Sequence, residues 1–130
     1  MKTINQKIIF KATPEEVYEM LMDSKKHSKF TGSKAKIGKK VGDKLSVYDG
    51  GLHGINIEII PNKKIVQKWQ CSMKDWPKTH YSKVSFSFKK IKEGTSLTFI
   101  QTGVPDKCAS SINKGWKDYY WNPMKKMLNK

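Results

Sequence analysis

The sequence contains no arginine, and all 26 of its basic residues are lysine. Recognition of base edges in nucleic acid favours the rigid guanidinium fork of arginine, whereas lysine carries a compact charge on a flexible stem. The absence of arginine therefore argues against sequence-specific nucleic-acid binding. It leaves open a non-specific binding driven by charge alone, which weakens steeply as the salt concentration rises.

Cysteines and long apolar runs are also scarce. Cys71 and Cys108 stand far apart, with no pair of cysteines or histidines at metal-ligand spacing beside them. We therefore expect free, structural thiols instead of a disulfide framework or a zinc site. No stretch approaches the roughly twenty apolar residues that span a bilayer, and residues 1–7 lack the apolar core of a secretory signal. The expected location is the cytoplasm.

Side chains suited to catalysis are few, with only 11 acidic residues among 130. Glu58 lies in an apolar stretch, but an alternation that turns Ile55, Ile57 and Ile59 inward would turn Glu58 to solvent. No metal-ligand spacing and no orienting carboxylate at a helical offset accompanies the histidines, which are His27, His53 and His80. His80 is equally suited to a hydrogen bond that holds a loop. We expect a protein that is not an enzyme and uses no cofactor or metal.

Positive charge is what the sequence has in excess, with a net charge of +15. The densest stretch, residues 25–44, contains a single acid, Asp43. One interpretation is a solvated face that aids solubility, and the other is a surface that docks an acidic protein. The candidate docking residues are Lys25, Lys26, Lys29, Lys34, Lys36, Lys39 and Lys40.

The first part of the chain predicts one strand and two short helices. Residues 4–11 read as an opening strand. Residues 13–16, Thr-Pro-Glu-Glu, combine a capping box with a proline at the first helical position. Ser24 is the predicted cap of a second helix over 24–29, and Gly32 releases the chain after it.

The middle of the chain predicts an antiparallel sheet of about six strands. Apolar alternation or β-branched composition marks each strand, and glycine turns such as Asp49-Gly50-Gly51 and Glu93-Gly94 separate them. The stretches that read most clearly as strands cover residues 45–48, 55–59, 65–69, 83–89 and 96–102.

Large aromatic residues recur at steps of three and four near the C-terminus, which predicts an amphipathic helix over 111–128. At 1.5 Å per residue it would be about 27 Å long, enough to cross about five strands. Pro123 is expected to kink it, because the proline ring crowds the carbonyl of Tyr119. The predicted apolar face consists of Ile112, Trp116, Tyr119, Tyr120, Met124, Met127 and Leu128.

This order of elements predicts an α+β helix-grip fold, in which a curved antiparallel sheet, with two short helices after its first strand, holds a long C-terminal helix. A helix over a concave sheet can leave an apolar gap for a small hydrophobic ligand. Bulky side chains favour a small or closed pocket here. The candidate lining residues are Trp69, Phe86, Phe88, Phe99, Trp116, Tyr119 and Tyr120.

A series of short motifs extends along nearly the whole chain, and their order is more specific than any single motif. The motifs are Phe10-Lys-Ala-Thr-Pro-Glu-Glu-Val-Tyr18, Tyr48-Asp-Gly-Gly51, Asp75-Trp-Pro77, Gln101-Thr-Gly-Val-Pro105 and Gly115-Trp116. The series resembles the activators of the ninety-kilodalton heat-shock chaperone ATPase, a family of the START-like (SRPBCC) superfamily. The resemblance implies one START-like domain over 1–130 and a stress-response co-chaperone that binds the chaperone and stimulates its ATPase without hydrolysing ATP itself.

The resemblance is confined to the C-terminal domain of the eukaryotic family members, which carry a further N-terminal domain. Gln70 stands where many relatives have an arginine after the tryptophan, so no role of that arginine is carried over. The alternative function is a stand-alone START-like carrier or sensor of a small hydrophobic ligand.

Overall fold

The computed structural model describes residues 1–128. The strands are β1 Lys2–Phe10, β2 Lys36–Ile37, β3 Lys44–Val47, β4 Leu52–Ile60, β5 Lys64–Cys71, β6 Ser82–Ile91 and β7 Gly94–Val104. The helices are α1 Pro14–Met22, α2 Ser24–Thr31, α3 Asp106–Trp116 and α4 Asn122–Leu128, with a 3-10 turn at Tyr48–Gly50 and a π turn at Lys117–Trp121.

All the strands belong to one antiparallel sheet of seven strands, in the order β1-β7-β6-β5-β4-β3-β2. The two helices after β1 and the helical segment after β7 complete the predicted α+β helix-grip arrangement. β2 is a two-residue edge strand that no alternation in the sequence indicated. Within the described residues, no helix is both long and apolar enough to cross a membrane.

Helix α1 begins as the sequence predicted. The Thr13 hydroxyl accepts a hydrogen bond from the Glu16 N–H at 3.2 Å, and the Glu16 carboxylate accepts one from the Thr13 N–H at 2.9 Å. This capping box satisfies two of the N–H groups that a helix start leaves without partners. The buried face of the helix comprises Val17, Tyr18, Met20, Leu21 and Met22.

Helix α2 begins at a different cap from the predicted one. The carboxylate of Asp23 accepts a hydrogen bond from the Lys26 N–H at 3.1 Å and is the N-cap. Ser24 is not the cap, because its hydroxyl accepts from the Ile37 N–H of β2 at 2.8 Å. Gly32 ends the helix in the left-handed region, with a φ of 72°, as predicted.

Strand β4 departs from the predicted alternation. Gly54 and Asn56 are its buried residues before a β-bulge that lies between Asn56 and Glu58 and shifts the register against β5. The expectation that Ile55 faces inward is therefore wrong, since Ile55 lies between these two residues and pairs with the exposed Lys68. Ile59 packs against the core, but the expectation that Ile57 faces inward is wrong, since 39% of Ile57 is exposed. Glu58 does face solvent, as expected.

The C-terminal helix, by which we mean the continuous helical segment from Asp106 to Leu128, begins earlier than the predicted Ser111. Its middle is a π turn, in which the Asn122 N–H donates to the Lys117 carbonyl. Pro123 follows directly and has no N–H to donate to the preceding turn. The π turn, which is wider than an α-helical turn, thus lies directly before Pro123, the residue that was expected to kink the helix.

The core lies between the C-terminal helix and the sheet. Four residues of the helix are buried there, namely Trp116, Tyr120, Trp121 and Met124. The ring centroids of Trp116 and Phe99 lie 4.2 Å apart. The expectation that Tyr119 belongs to the apolar face is wrong, because 61% of Tyr119 is exposed while Trp121 is buried. A π turn contains an additional residue, so the apolar face does not follow a 3.6-residue period through it.

Candidate functional site

Helix α2 and the edge strand β2 bring much of the lysine-rich stretch together. The Ser24 hydroxyl accepts from the Ile37 N–H at 2.8 Å, and the Ser28 hydroxyl accepts from the Ala35 N–H at 2.9 Å. Both serines lie on one face of α2, four residues apart. These two bonds hold the helix against the edge of the sheet, and lysines from the helix, the strand and the adjoining loops meet there.

We call this region the lysine surface and define it as Lys25, Lys26, Lys29, Lys34, Lys36, Lys39 and Lys40, all of which are exposed. Within residues 1–128, none of these seven forms an ion pair with an acid within 4.0 Å. Two nearby carboxylates accept backbone bonds instead, Asp23 from the Lys26 N–H and Asp43 from the Lys40 N–H, each at 3.1 Å. The surface therefore keeps a strong excess of positive charge.

The role of Asp23 as a cap favours the ionised form of its carboxylate. The bond from the Lys26 N–H lowers the pKa of Asp23, and the charges of Lys39 and Lys26 lower it further. Its negative charge is directed at the start of α2, where it complements the helix dipole.

The lysine surface contains two depressions. A groove of about 410 Å³ is lined by Ser24, Lys25, Ser28, Lys29 and Ala35. A smaller one of about 160 Å³ is lined by Lys34, Lys36, Ser46, Asp49 and Gly50. Two lysines thus line each depression, and the smaller one is also lined by one acid, Asp49.

A separate apolar cavity of about 240 Å³ lies beside the first half of the C-terminal helix. Four of the predicted lining residues border it, namely Trp69, Trp116, Tyr119 and Tyr120. The other three do not, which corrects the predicted lining. Phe86 and Phe99 pack beneath the Trp116 ring, and Phe88 packs against Tyr18 of α1.

Further lining residues escaped the sequence-based prediction: Tyr48, Leu52, Cys71, Met73, Trp76 and Gln101. They come from the 3-10 turn, from β4, β5 and β7, and from the loop between β5 and β6. Their common feature is proximity in the fold, which no periodicity in the sequence reports. The one available signal was that Tyr48, Trp76 and Gln101 each belong to a motif of the series.

His27 connects the lysine-bearing helix to the wall of this cavity. Its ring is 2% exposed, with Nδ1 at 3.1 Å from the Leu21 carbonyl and Nε2 at 2.7 Å from the Tyr120 hydroxyl. Because a carbonyl only accepts, Nδ1–H donates to Leu21 and Nε2 accepts from Tyr120. Burial lowers the pKa of His27 to about 4, which keeps the ring neutral at pH 7.

The remaining histidines and Glu58 have structural partners. His80 Nε2 lies 2.5 Å from the Gly103 carbonyl, and the His80 carbonyl accepts from the Trp76 indole at 2.8 Å, which holds the loop after β5 against β7. His53 Nε2 lies 2.8 Å from Gln70 Oε1. Glu58 pairs with Lys64 at 3.7 Å on the surface.

Neither cysteine forms a disulfide, as expected. Burial raises the pKa of the Cys71 thiol and of the Cys108 thiol, which disfavours the reactive thiolate. In the part of the chain that the structure describes, no three His, Cys, Asp or Glu side chains are grouped to hold a metal ion.

A family model described as "Activator of Hsp90 ATPase homolog 1-like protein" matches residues 11–129. The chain belongs to this family. Among curated members, an activator of 90 kDa heat shock protein ATPase homolog of Dictyostelium discoideum is 32% identical over 117 residues, which are 89% of this chain and 30% of that protein. Human homolog 1 is 29% identical over 122 residues, which are 94% of this chain and 36% of that protein.

The chain therefore spans about a third of the length of these Hsp90 ATPase activators. A solved structure of an HSP90 activator from Plasmodium falciparum is similar along its length, with a TM-score of 0.86, 25% identity, and coverage of 98% of this chain and 95% of that chain. The Aha1 dimer from Colwellia psychrerythraea gives a TM-score of 0.80 at 22% identity, with 98% and 96% covered. These likenesses confirm the predicted helix-grip fold.

Proposed function

We propose that this protein is a co-chaperone-like binding module, without catalytic activity of its own, whose lysine surface docks on an acidic face of a chaperone of the ninety-kilodalton heat-shock class. Membership of the activator family supports the choice of partner. A similar protein of known structure is itself described as an HSP90 activator.

The observation that carries the proposal is the unpaired charge of the lysine surface. Seven exposed ammonium groups from α2, β2 and their loops stand together, and no acid of the described residues lies within 4.0 Å of them. Charges arranged this way accelerate the encounter with an acidic partner and select its orientation. The bordering depressions provide room for carboxylate side chains between paired lysines.

Docking and stimulation of the ATPase are separate steps of the proposal. The chain corresponds to about a third of the length of its longer relatives, so the proposal concerns only the contacts that this matched domain makes. We therefore propose that docking is the activity that this domain supports by itself. Stimulation of the chaperone's ATPase requires in addition that the docked domain binds the active conformation of the chaperone more tightly than the inactive one.

The test reverses charge on the lysine surface and compares it with the same change elsewhere. One variant carries Lys25→Glu, Lys26→Glu, Lys39→Glu and Lys40→Glu. The control carries Lys7→Glu, Lys68→Glu, Lys83→Glu and Lys89→Glu, four exposed lysines on the face of the sheet opposite the helix. Binding to the chaperone from the same organism is measured by calorimetry, and chaperone turnover is measured beside it.

Both variants change the net charge by the same amount, so a difference between them reports the position of the charges. We expect the first variant to weaken binding at least tenfold and the control to weaken it less than about threefold. Equal weakening by the two variants would assign the effect to net charge and overturn the docking surface. No binding by the unaltered protein at low ionic strength would overturn the proposed partner. Binding with unchanged turnover would limit the function to docking.

A second candidate function, a carrier or sensor of a small hydrophobic ligand, is favoured by the apolar cavity of about 240 Å³. The cavity is bordered by the C-terminal helix on one side and by the ends of β4 and β5 on the other. An apolar cavity of about 150 Å³ is sufficient for benzene, so this one has room for a molecule with two fused rings.

A further inference from the structure

The hydroxyl of Tyr48 is the starting point, because it is buried without a hydrogen-bond partner. Among residues 1–128, it is the one buried side-chain nitrogen or oxygen atom with no partner. Tyr48 also borders the apolar cavity. A buried polar group left unpaired costs about 1–3 kcal/mol, so the position of this hydroxyl requires an explanation.

The backbone that presents Tyr48 is strained. Tyr48 and Asp49 have φ angles of 52° and 53°, in the left-handed region that a bulky aromatic residue seldom adopts. The Asp49 N–H donates to the Lys34 carbonyl at 2.9 Å, and the Gly51 N–H donates to the Tyr48 carbonyl at 3.1 Å. The surrounding bonds thus hold a costly conformation that keeps the Tyr48 ring at the cavity.

The other polar groups around the cavity are largely engaged within the protein. The Trp116 indole donates to Gln101 Oε1 at 2.8 Å, and Gln101 Nε2 donates to the Ser82 hydroxyl at 2.8 Å. The Trp76 indole donates to a backbone carbonyl, and the Tyr120 hydroxyl donates to His27. Tyr48 is therefore the buried polar group that is available to a molecule in the cavity, whereas Ser111 and Tyr119, which also border the cavity and carry hydroxyl groups, are exposed residues.

The walls also exclude charge. No residue of the described range 1–128 that borders the cavity is a lysine or an acid, and most of the wall is apolar. Burial raises the pKa of Tyr48 to about 12, with a smaller contribution from Tyr119, so its hydroxyl remains neutral and able to donate. An anionic or cationic group placed here would lose its hydration without gaining a counter-charge.

We propose that the cavity binds a neutral, mostly apolar molecule of about two fused rings that carries one hydrogen-bonding group, and that this group pairs with the Tyr48 hydroxyl. This inference rests on the second candidate function and adds the chemistry of the ligand and the residue that selects it. It is independent of docking at the lysine surface.

The experiment uses three probes that share one ring system: 2-naphthol, naphthalene and 2-naphthoate. Indole N–H signals in nitrogen-15 correlated NMR spectra report binding, because Trp69, Trp76 and Trp116 border the cavity. Trp121 donates to Gln6 at 2.6 Å outside the cavity and serves as an internal reference. We expect 2-naphthol to shift the first three signals more than the fourth, naphthalene to bind more weakly, and 2-naphthoate to leave all four in place.

Tyr48→Phe removes only the hydroxyl. We expect it to reduce the preference for 2-naphthol over naphthalene about tenfold, which is the effect of one buried hydrogen bond. The thermal stability should be unchanged or higher, because the removed group has no partner in the protein.

Gly115→Leu places a side chain at a cavity-bordering position where an added Cβ would meet only Tyr119, at 3.7 Å. It should abolish binding of both neutral probes, whereas the matched Lys114→Leu, at an exposed neighbouring position, should not.

The possible failures are distinguishable. No response of the three cavity indoles to any probe would overturn the ligand site and the second candidate function together. Equal binding of naphthalene and 2-naphthol, or a preference that Tyr48→Phe leaves intact, would retain an apolar site but overturn the role of Tyr48, whose hydroxyl would then be satisfied by water. Tight binding of 2-naphthoate would overturn the exclusion of charge.

Discussion

His27 is a buried imidazole held between a helix end and a ring of the C-terminal helix. The centroid of its ring lies 4.9 Å from that of Phe30 and 5.2 Å from that of Tyr120. Both ring nitrogens have hydrogen-bond partners. A protonated ring would have to donate from Nε2 to a hydroxyl that now donates to it, and no carboxylate of residues 1–128 forms an ion pair with the ring. The neutral ring is therefore part of the folded state.

The pH dependence of stability should expose this residue. The pKa of His27 is lowered from 6.5 to about 4 in the folded protein, so the unfolded chain binds a proton in this range and the folded protein does not. Stability is thus complete above pH 6.5 and falls as the pH drops towards 4. Between pH 8 and pH 5 we expect a loss of about 2 kcal/mol in the free energy of unfolding, measured by urea denaturation.

Two variants isolate His27 from the other titrating groups. His27→Gln should flatten the slope of stability between pH 8 and pH 5, whatever it does to stability at pH 7. His53→Gln, at an exposed position, should keep the slope. Glu16 and Asp23, whose pKa values are lowered by backbone hydrogen bonds, lose their contributions only in more acidic solution. An unchanged slope in His27→Gln would contradict the assignment.

At the scale of secondary-structure elements, the N-terminus of α2 illustrates a choice between adjacent caps. Asp23 and Ser24 are both good N-cap residues, and sequence preference does not rank them. The structure uses both, because Asp23 caps the helix while Ser24 bonds to β2. The distinction arises from a strand that lies thirteen residues along the chain from Ser24.

Substitutions at Asp23 should separate its cap from its charge. Asp23→Ala removes the acceptor for the Lys26 N–H, and we expect a loss of about 1 kcal/mol in the free energy of unfolding. Asp23→Asn keeps an acceptor and should lose only a few tenths, mainly from the dipole contribution. Chemical denaturation at pH 7 gives both values. A loss of the same size in both variants would assign the stability to charge instead of capping.

Much of the fold was predictable at this scale because local rules coincide with the tertiary structure. The capping box at Thr13, the left-handed turn at Gly32 and the alternation of Val84, Phe86 and Phe88 each satisfy a local requirement that the fold preserves. The bulge in β4 could not be predicted, because the buried Asn56 amide is placed by bonds to carbonyls of residues 38 and 40, before β3.

The candidate sites were predictable to different degrees. The lysines that form the docking surface were identifiable from sequence, since they are close along the chain and an exposed charge needs no special environment. The cavity was predicted in kind but not in detail, because Tyr48, Met73 and Trp76 reach it from separate segments. Tyr119 illustrates the limit, because the π turn shifts it out of the apolar face while leaving it at the cavity mouth.

At the scale of the whole molecule, the two candidate sites lie at different places on the same sheet and its C-terminal helix. The lysine surface is at the β2 edge of the sheet, and the cavity is beside the C-terminal helix. Two contacts join them: His27 of α2 bonds to Tyr120, and the Asp49 N–H next to Tyr48 bonds to the carbonyl of Lys34. The charge of +15 is an attribute of the entire surface, so the local density at α2 and β2 has to be distinguished from it experimentally.

Salt provides that distinction, because exposed charges are screened beyond about 10 Å at 0.1 M ionic strength. We expect the association rate with the chaperone, followed by stopped-flow fluorescence, to fall at least tenfold as ionic strength rises from about 0.02 M to about 0.2 M. The dissociation rate should change much less, since the lysines act mainly on the encounter.

With Lys25, Lys26, Lys39 and Lys40 reversed to glutamate, the association rate should lose most of its salt dependence. The control, reversed at Lys7, Lys68, Lys83 and Lys89, should retain it. A slope that follows net charge alone, equal in both variants, would mean that the whole surface steers the encounter and that the lysine surface has no special part in it.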